Sequence, residues 1–166
     1  MNVAKHIIIV LFFLTSFLGE AQEYETILWE KGKKLSWKDF KGKPPQNSGA
    51  AAITGSGITY QFSSYYRNGR RQLDFTVSTF FYPNSSWYRP ELCNNLILSH
   101  EQLHFDITEI YARKMRKELA RTNFSKNNVK REVKTIYNRI NKELSNFQDL
   151  YDSSTNYSRN EEQQLI

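Results

Sequence analysis

Residues 90–121 read PELCNNLILSHEQLHFDITEIYARKMRKELAR. The stretch contains no glycine, and no proline after its first residue, so nothing in it breaks a helix. Its apolar side chains recur at helical spacing: Leu92, Leu96, Leu103, Ile107, Ile110 and Met115. Pro90 and Glu91 suit the first turn of a helix. The pattern therefore predicts one long helix from about Pro90 to Arg121.

A second long helix is predicted after an interruption at residues 123–128. Its apolar side chains recur at steps of three and four: Val129, Val133, Ile136, Ile140, Leu144, Phe147 and Tyr151. Such a stripe is typical of a helix that buries one face. Because two short strands need helices to cover them, we expect this helix to pack beside the first. The alternative is a coiled-coil seam between two copies of the chain.

Upstream of the helices, two runs of alternating apolar and polar residues predict an antiparallel hairpin. The runs flank the turn signal Asn68-Gly69, and their apolar members are Ile58, Tyr60, Phe62, Leu73, Phe75, Val77 and Phe81. Residues 24–29 read as a further short strand and residues 41–49 as a loop. Between them, the aromatic side chains of residues 35–40 are expected to fasten the N-terminal arm to the core. Strands and helices together predict an α+β fold.

Length and composition limit the classes of protein to which this chain can belong. The 166 residues suit one domain, and 39% hydrophobic with 24% charged residues excludes a disordered or fibrous chain. A net charge of +6, from 23 basic and 17 acidic residues, does not indicate nucleic acid as a partner. The single cysteine, Cys93, excludes an intrachain disulfide framework and a multi-cysteine metal cluster. A metal site in this chain must use histidine and oxygen ligands.

The N-terminus predicts export. Lys5 and His6 precede an apolar run over residues 7–18, and Gly19-Glu20-Ala21 supplies the small-x-small pattern of a cleavage site. The run is shorter than the roughly 20 residues that cross a bilayer, so no stable membrane anchor is expected. Residues 1–21 are therefore predicted to be a signal peptide cut after Ala21. We expect a secreted or periplasmic protein.

The sequence HEQLH at residues 100–104 contains the residues that predict a metal site and a general base. It holds the two histidines that remain after signal cleavage, His100 and His104. At about 100° per residue, residues four apart lie within roughly 40° of each other, so one metal ion can reach both imidazoles. Glu101 projects beside the ion, where its carboxylate can act as general base towards a water molecule and pass the proton to a leaving amine. The spacing is that of zinc peptidases, with Zn²⁺ as the cofactor.

A catalytic zinc site usually has three protein ligands, and the first helix offers no good third one. Glu109 lies about 180° around the helix from His100, and we interpret it as an exposed partner of Arg113. Asp106 is turned away by about 120° and can at most support another element. Cys93 is about 10 Å away along the axis, and we interpret it as a core thiol.

Several different short motifs are distributed along nearly the whole chain after residue 21. They comprise Trp37, Phe40, Gly42, Pro44 and Pro45; Gly57, Ile58 and Tyr60; Ser86 and Trp87; residues 100–109 with Ala112 and Arg113; and Tyr151, Asp152, Thr155 and Gln163 or Gln164. In these motifs the chain resembles a bacterial family of secreted proteins regarded as zinc-dependent proteases and catalogued as a domain of unknown function. The resemblance implies a peptidase that acts on peptide or protein substrates.

The third metal ligand has several candidates. The resembled family has histidine where this chain has Tyr157, so the resemblance implies Tyr157 as the metal ligand that joins His100 and His104. A phenol has a pKa near 10, so the metal would have to drive its deprotonation. The alternatives are a carboxylate of the tail, such as Asp152 or Glu161. Two carboxylates beside the stripe of the second helix could also reach across: Glu132 and Glu143.

The predicted protein is an α+β domain of zincin-like type over residues 22–151, in which a small antiparallel sheet packs on two long helices. A C-terminal tail over residues 152–166 can reach the metal site, and the strand at residues 73–82 is expected to form the cleft wall. The predicted function is that of a zinc metalloprotease. The alternatives are a catalytically degenerate exported module that binds a metal or a protein, and a helical protein that dimerises through the apolar stripe.

Overall fold

The structure is a computed structural model that describes residues 25–164. Its strands and helices form a mixed α+β domain with antiparallel sheets and two long helices: β1 Ile27–Leu28, β2 Ala52–Ile53, β3 Ser56–Arg67, β4 Arg70–Phe81, β5 Trp87–Tyr88, α1 Asn95–Arg121, α2 Val129–Ser154 and α3 Glu161–Gln164. The predicted signal peptide lies outside the described residues. Among those residues, no helix is both long enough and apolar enough to cross a membrane.

The hairpin predicted from the alternating pattern is confirmed. β3 and β4 pair antiparallel from Ser56 opposite Phe81 to Arg67 opposite Arg70. The turn between them is Asn68-Gly69, and both of its residues have positive φ, 52° and 71°, as a two-residue hairpin turn of this type requires. β1 pairs with the other edge of β4, so β4 is the middle strand of a three-stranded sheet.

The first long helix begins later than the sequence pattern predicts. α1 starts at Asn95, and the predicted start near Pro90 is wrong. The reason is local, because the side chain of Asn94 accepts a hydrogen bond from the backbone N–H of Ile97 at 3.0 Å. Asparagine is a favoured N-cap because it satisfies a free N–H of the first turn. Residues 90–92 instead form a turn, in which the backbone N–H of Leu92 donates to the carbonyl of Arg89 at 3.0 Å.

The helices bury the hairpin and each other. One core cluster joins the hairpin, α1 and α2: Ile58, Val77, Ile107, Tyr111, Ala112, Met115, Leu119, Val129, Val133, Ile136, Ile140 and Leu144. The apolar stripe of α2 thus packs inside this chain from Val129 to Leu144, as expected of a helix that packs beside the first, whereas Phe147 is 43% exposed. Each large aliphatic side chain in such a core contributes about 1.5–3 kcal/mol of burial free energy.

A second, smaller cluster fastens the N-terminal arm, as predicted. Phe40 packs edge-on against Phe81 with ring centroids 5.1 Å apart, and Trp37 stacks on Tyr88 at 4.6 Å. Just beyond them the backbone N–H of Gly42 donates to the carbonyl of Ser86 at 2.8 Å. A Cβ at residue 42 would lie 2.8 Å from that same oxygen, so this close approach requires glycine. The arm thereby supports β5, which pairs with β2.

Candidate metal centre

The middle of α1 places two imidazoles side by side. His100 and His104 lie one turn apart on the face towards α2, and their Nε2 atoms are 3.2 Å apart. His100 is only 4% exposed. A buried and a partly buried histidine whose Nε2 atoms converge at this distance need a partner between or beside them.

Asp152 supplies that partner. Its Oδ1 lies 3.0 Å from Nε2 of His100 and 2.8 Å from Nε2 of His104. The ligand atoms of a tetrahedral zinc site with bonds of about 2.0–2.1 Å are roughly 3.3 Å apart, which is close to these separations. The three residues therefore form a group that could hold a metal ion. Two imidazoles and a carboxylate suit several divalent ions, so the donor set alone does not fix the metal.

Asp152 reaches the histidines because α2 is longer than its apolar stripe. The stripe ends at Tyr151, but the helix continues to Ser154. Asp152 therefore lies in the last turn of a helix rather than in a loose tail, and the helix backbone fixes its position. Among the described side chains of the alternatives left open for the third ligand, this carboxylate is the one that lies against both imidazoles.

The three side chains perturb one another's protonation. Burial raises the pKa of Asp152, but hydrogen bonds from the two imidazoles outweigh burial and hold the pKa well below its usual range. Burial lowers the pKa of His104, yet its contacts with Asp152 and Gln148 raise the pKa above the ordinary value. Without a metal, the group thus favours an ionised carboxylate beside a protonated imidazole. A metal ion must displace that proton, so its binding is expected to weaken in acid.

Gln148 orients His104 from α2. Its Oε1 accepts a hydrogen bond from Nδ1 of His104, while its Nε2 donates to the backbone carbonyl of His104 at 3.2 Å. Fixing the proton on Nδ1 directs the lone pair of Nε2 towards the metal position. Sequence reasoning missed Gln148. The available signal was its spacing, because it lies four residues after Leu144 of the stripe and four before Asp152.

Tyr151 braces both imidazoles. Its ring stacks on His100 with centroids 4.7 Å apart and meets the His104 ring edge-on at 5.2 Å. Nδ1 of His100 is buried and has no hydrogen-bond partner among the described residues. The two histidines are therefore held differently, one by a hydrogen bond and the other by ring stacking.

We expect Gln148→Leu to lower the metal affinity of the protein by about 10- to 100-fold, the usual cost of losing a group that orients a ligand. Gln148→Glu keeps an acceptor for Nδ1 and should retain most of the affinity. Competition against a chromophoric chelator measures the effect. Gln72→Leu, an equivalent change at an exposed position of β4, is the matched control. Equal affinities for Gln148→Leu and Gln72→Leu would contradict an orienting role.

Glu101 is the second carboxylate of the site. It is 4% exposed, and its Oε2 has no hydrogen-bond partner in the part of the chain that the structure describes. The hydroxyl of Thr54 donates to its backbone carbonyl at 3.1 Å, which ties this turn of α1 to the end of β2. Burial raises the pKa of Glu101 above its ordinary value, against the opposing effects of a hydrogen bond with Thr54 and of the two imidazoles. A buried carboxylate oxygen without a hydrogen-bond partner, on the wall of the cavity that contains the candidate metal position, is suited to accept a proton.

A cavity of about 800 Å³ opens onto these groups. Residues 49–54, which contain β2, line it together with His100, Glu101, His104 and Asp152. The expectation that residues 73–82 form the cleft wall is wrong. No residue from 73–82 lines the cavity: β4 pairs with β3 along its whole length, β1 pairs with it only at Phe80 and Phe81, and β2 lies beside the cavity instead.

Two acidic residues of α1 point away from the metal group. Glu109 pairs with Arg113 at 3.0 Å, as predicted, but the prediction that it is exposed is wrong, because it is only 6% exposed. It faces β4, where it accepts a hydrogen bond from Thr79 at 2.8 Å and pairs with Arg116. Asp106 supports another element, as predicted, by accepting a hydrogen bond from Nε1 of Trp29 at 2.7 Å.

Tyr157 lines the same cavity but is 64% exposed. It lies in a turn after α2, where Asn156, Tyr157 and Ser158 all have positive φ, 48°, 53° and 68°. Its assignment as a metal ligand stays a prediction. The remaining tail carboxylate considered for that role, Glu161, begins α3.

The other predicted candidates lie in local contacts of their own. Glu132 accepts hydrogen bonds from Ser125, and Glu143 pairs with Arg139. The interpretation of Cys93 as a core thiol is wrong, because its side chain is only half-buried; its thiol donates to the carbonyl of Ala51 at 3.3 Å. None of these three side chains belongs to the metal-ligating group found among the described residues.

Comparison with known proteins supports one part of the family resemblance. A family model described as a bacterial protein of unknown function, DUF922, matches residues 91–159. The match is shorter than the resemblance expected over nearly the whole chain after residue 21, but it contains α1, α2 and the whole His100–His104–Asp152 group. Searches of curated proteins and of solved structures found no match. The segment that carries the candidate metal centre is therefore similar to a bacterial domain whose function is unknown.

Proposed function

We propose that this protein is a zinc-dependent peptidase of zincin-like type, in which His100, His104 and Asp152 hold the ion and Glu101 is the general base. One observation carries the proposal. Oδ1 of Asp152 lies within 3.0 Å of both Nε2 atoms, and the buried Glu101 lines the same cavity. Structural ion pairs alone do not account for a second buried carboxylate at this place, one of whose oxygens, Oε2, has no hydrogen-bond partner among the described residues.

The chemistry follows from the roles of the side chains. A divalent cation held by these three residues would lower the pKa of a water molecule and would polarise the carbonyl group of the substrate. Glu101 accepts the proton of the attacking water through its free Oε2 and delivers it to the leaving amine. Gln148 and Tyr151 hold the imidazoles, so that neither turns away from Asp152 during the reaction. The raised pKa of Glu101 in the metal-free protein falls again beside a cation, because a positive charge favours the carboxylate.

A peptide is the substrate class that fits the cavity wall. β2 pairs with β5 along one edge, and its other edge has no strand partner within residues 25–164. An extended peptide can add to such an edge through main-chain hydrogen bonds. The predicted signal peptide supports a secreted or periplasmic site of action, where peptide or protein substrates are available.

Metal content and cleavage together test the proposal. We expect the purified protein to contain about one zinc per chain by elemental analysis and to cleave an unfolded casein-type substrate. A chelator should abolish cleavage, and added Zn²⁺ should restore it. Zinc bound at one per chain without cleavage would support the alternative of a non-catalytic metal-binding module. A chain that binds no divalent metal would overturn both functions.

A further inference from the structure

The side chains that line the cavity leave a net positive charge when a divalent cation is bound. The ionisable side chains that line it are those of the metal group, Glu101, Tyr157 and Arg159. The carboxylates of Asp152 and Glu101 offset the two charges of a divalent cation, so Arg159 leaves the occupied cavity with one net positive charge. Much of the remaining lining is small or apolar, from the alanines at residues 50–52 to Ile53, Leu92 and Ile97.

The turn that carries Arg159 has a defined conformation, which buried side chains and a backbone hydrogen bond hold in place. Three consecutive residues before it adopt positive φ, which costs L-residues roughly 1–2 kcal/mol each. The turn is held by the buried side chains of Thr155 and Ser158 and by the backbone N–H of Asn160, which donates to the carbonyl of Thr155 at 2.9 Å. Among the described side chains, no carboxylate forms an ion pair with the Arg159 guanidinium.

We propose that Arg159 binds a carboxylate of the substrate, so that the preferred substrates are peptides that place a carboxylate beside an apolar side chain. A guanidinium is suited to this role because it donates two parallel hydrogen bonds to the two oxygens of a carboxylate. The carboxylate can come from the C-terminus of a peptide or from an Asp or Glu side chain. This inference rests on the proposed peptidase function and names its substrate class.

Three peptides of one apolar sequence separate the two sources. The first ends in a free carboxylate, the second ends in an amide, and the third ends in an amide but carries an internal glutamate in place of glutamine. We expect one of the two charged peptides to be cleaved with a kcat/KM at least about 10-fold above that of the neutral peptide, the usual effect of a hydrogen bond to a charged group. The favoured peptide identifies the source of the carboxylate.

Variants assign the preference to Arg159. In Arg159→Gln the charged and neutral peptides should be cleaved within about 2-fold of each other, because the donors that favour the charged peptide are lost. Arg159→Lys keeps the charge without the paired donors and should retain an intermediate preference. Arg67→Gln removes an exposed arginine outside the cavity and should leave the preference intact.

A binding readout separates this inference from the proposed function. Dissociation constants for the same peptides are measured with the zinc-loaded Glu101→Gln protein, which should not cleave them. A charged peptide that binds more tightly than the neutral one, in an Arg159-dependent way, supports the inference even if the unmodified protein cleaves nothing. Cleavage of all three peptides at equal kcat/KM, with no change in Arg159→Gln, would overturn the inference and leave the peptidase function standing.

Discussion

The Asp152→Asn variant is expected to bind Zn²⁺ more than about 100-fold more weakly than the unmodified protein. The loss should exceed the 10- to 100-fold cost of removing a group that merely orients a ligand, because Asp152 is the only anionic member of the group. Asparagine has nearly the same shape as aspartate, so the contact between α1 and α2 should survive. Competition against a chromophoric chelator at neutral pH measures the affinity.

Two further variants interpret that result. Asp149→Asn makes the same charge change at an exposed position of α2 and should leave the affinity within about 2-fold. Tyr157→Phe removes the other proposed third ligand and should change the affinity by less than about 3-fold. If Tyr157→Phe abolishes binding while Asp152→Asn retains it, the phenol is the third ligand and the assignment of Asp152 is wrong.

The metal-free protein gives a readout that is independent of zinc. Burial alone lowers the pKa of His104, and the raised value depends on its contacts with Asp152 and Gln148. In metal-free Asp152→Asn the carboxylate is lost, so the pKa of His104 should fall. An NMR titration of the imidazole resonances detects this change. An unchanged pKa would mean that Asp152 does not contact His104 in solution.

Elements with a strong local pattern were predictable from the sequence. The hairpin follows from two alternating runs around Asn68-Gly69, and both long helices follow from apolar side chains at helical spacing. The proximity of His100 and His104 is also local, because residues four apart meet on any α-helix. These features depend on residues that are close in sequence, which is the information that periodicity carries.

The remaining parts of the site depend on contacts that periodicity does not carry. Asp152 was assigned to a tail because the apolar stripe ends at Tyr151, whereas the helix continues through three polar residues to Ser154. Glu109 was correctly placed away from His100, but a helical angle does not reveal that β4 lies on that side. Gln148 likewise becomes meaningful only when α2 is known to face His104.

The Glu101→Gln variant is expected to lose about 10²- to 10⁴-fold in hydrolysis while it binds Zn²⁺ within about 3-fold of the unmodified protein. Glutamine has nearly the same shape as glutamate, but it cannot accept the proton of the attacking water. Steady-state cleavage and chelator competition are measured on the same preparation. Glu91→Gln, at an exposed position outside the cavity, is the matched control. Hydrolysis above a tenth of the original rate would contradict the role of Glu101 as general base.

The same substitution should make the metal-free protein more stable, and the pH dependence of this gain has a definite sign. Burial raises the pKa of Glu101 in the folded chain, so the ionised side chain destabilises the fold at pH 7 and the protonated one does not. The gain in the free energy of unfolding should be on the order of 1 kcal/mol at pH 7, should shrink as the pH falls from the raised folded-state pKa towards 4.5, the ordinary pKa of a glutamate, and should be lost below 4.5. Denaturant unfolding of the metal-free protein and of metal-free Glu101→Gln, at pH 7 and below pH 4.5, measures this difference in stability. A carboxylate that weakens the fold at neutral pH, yet lies buried beside the metal group, is consistent with the role of general base that we propose for Glu101.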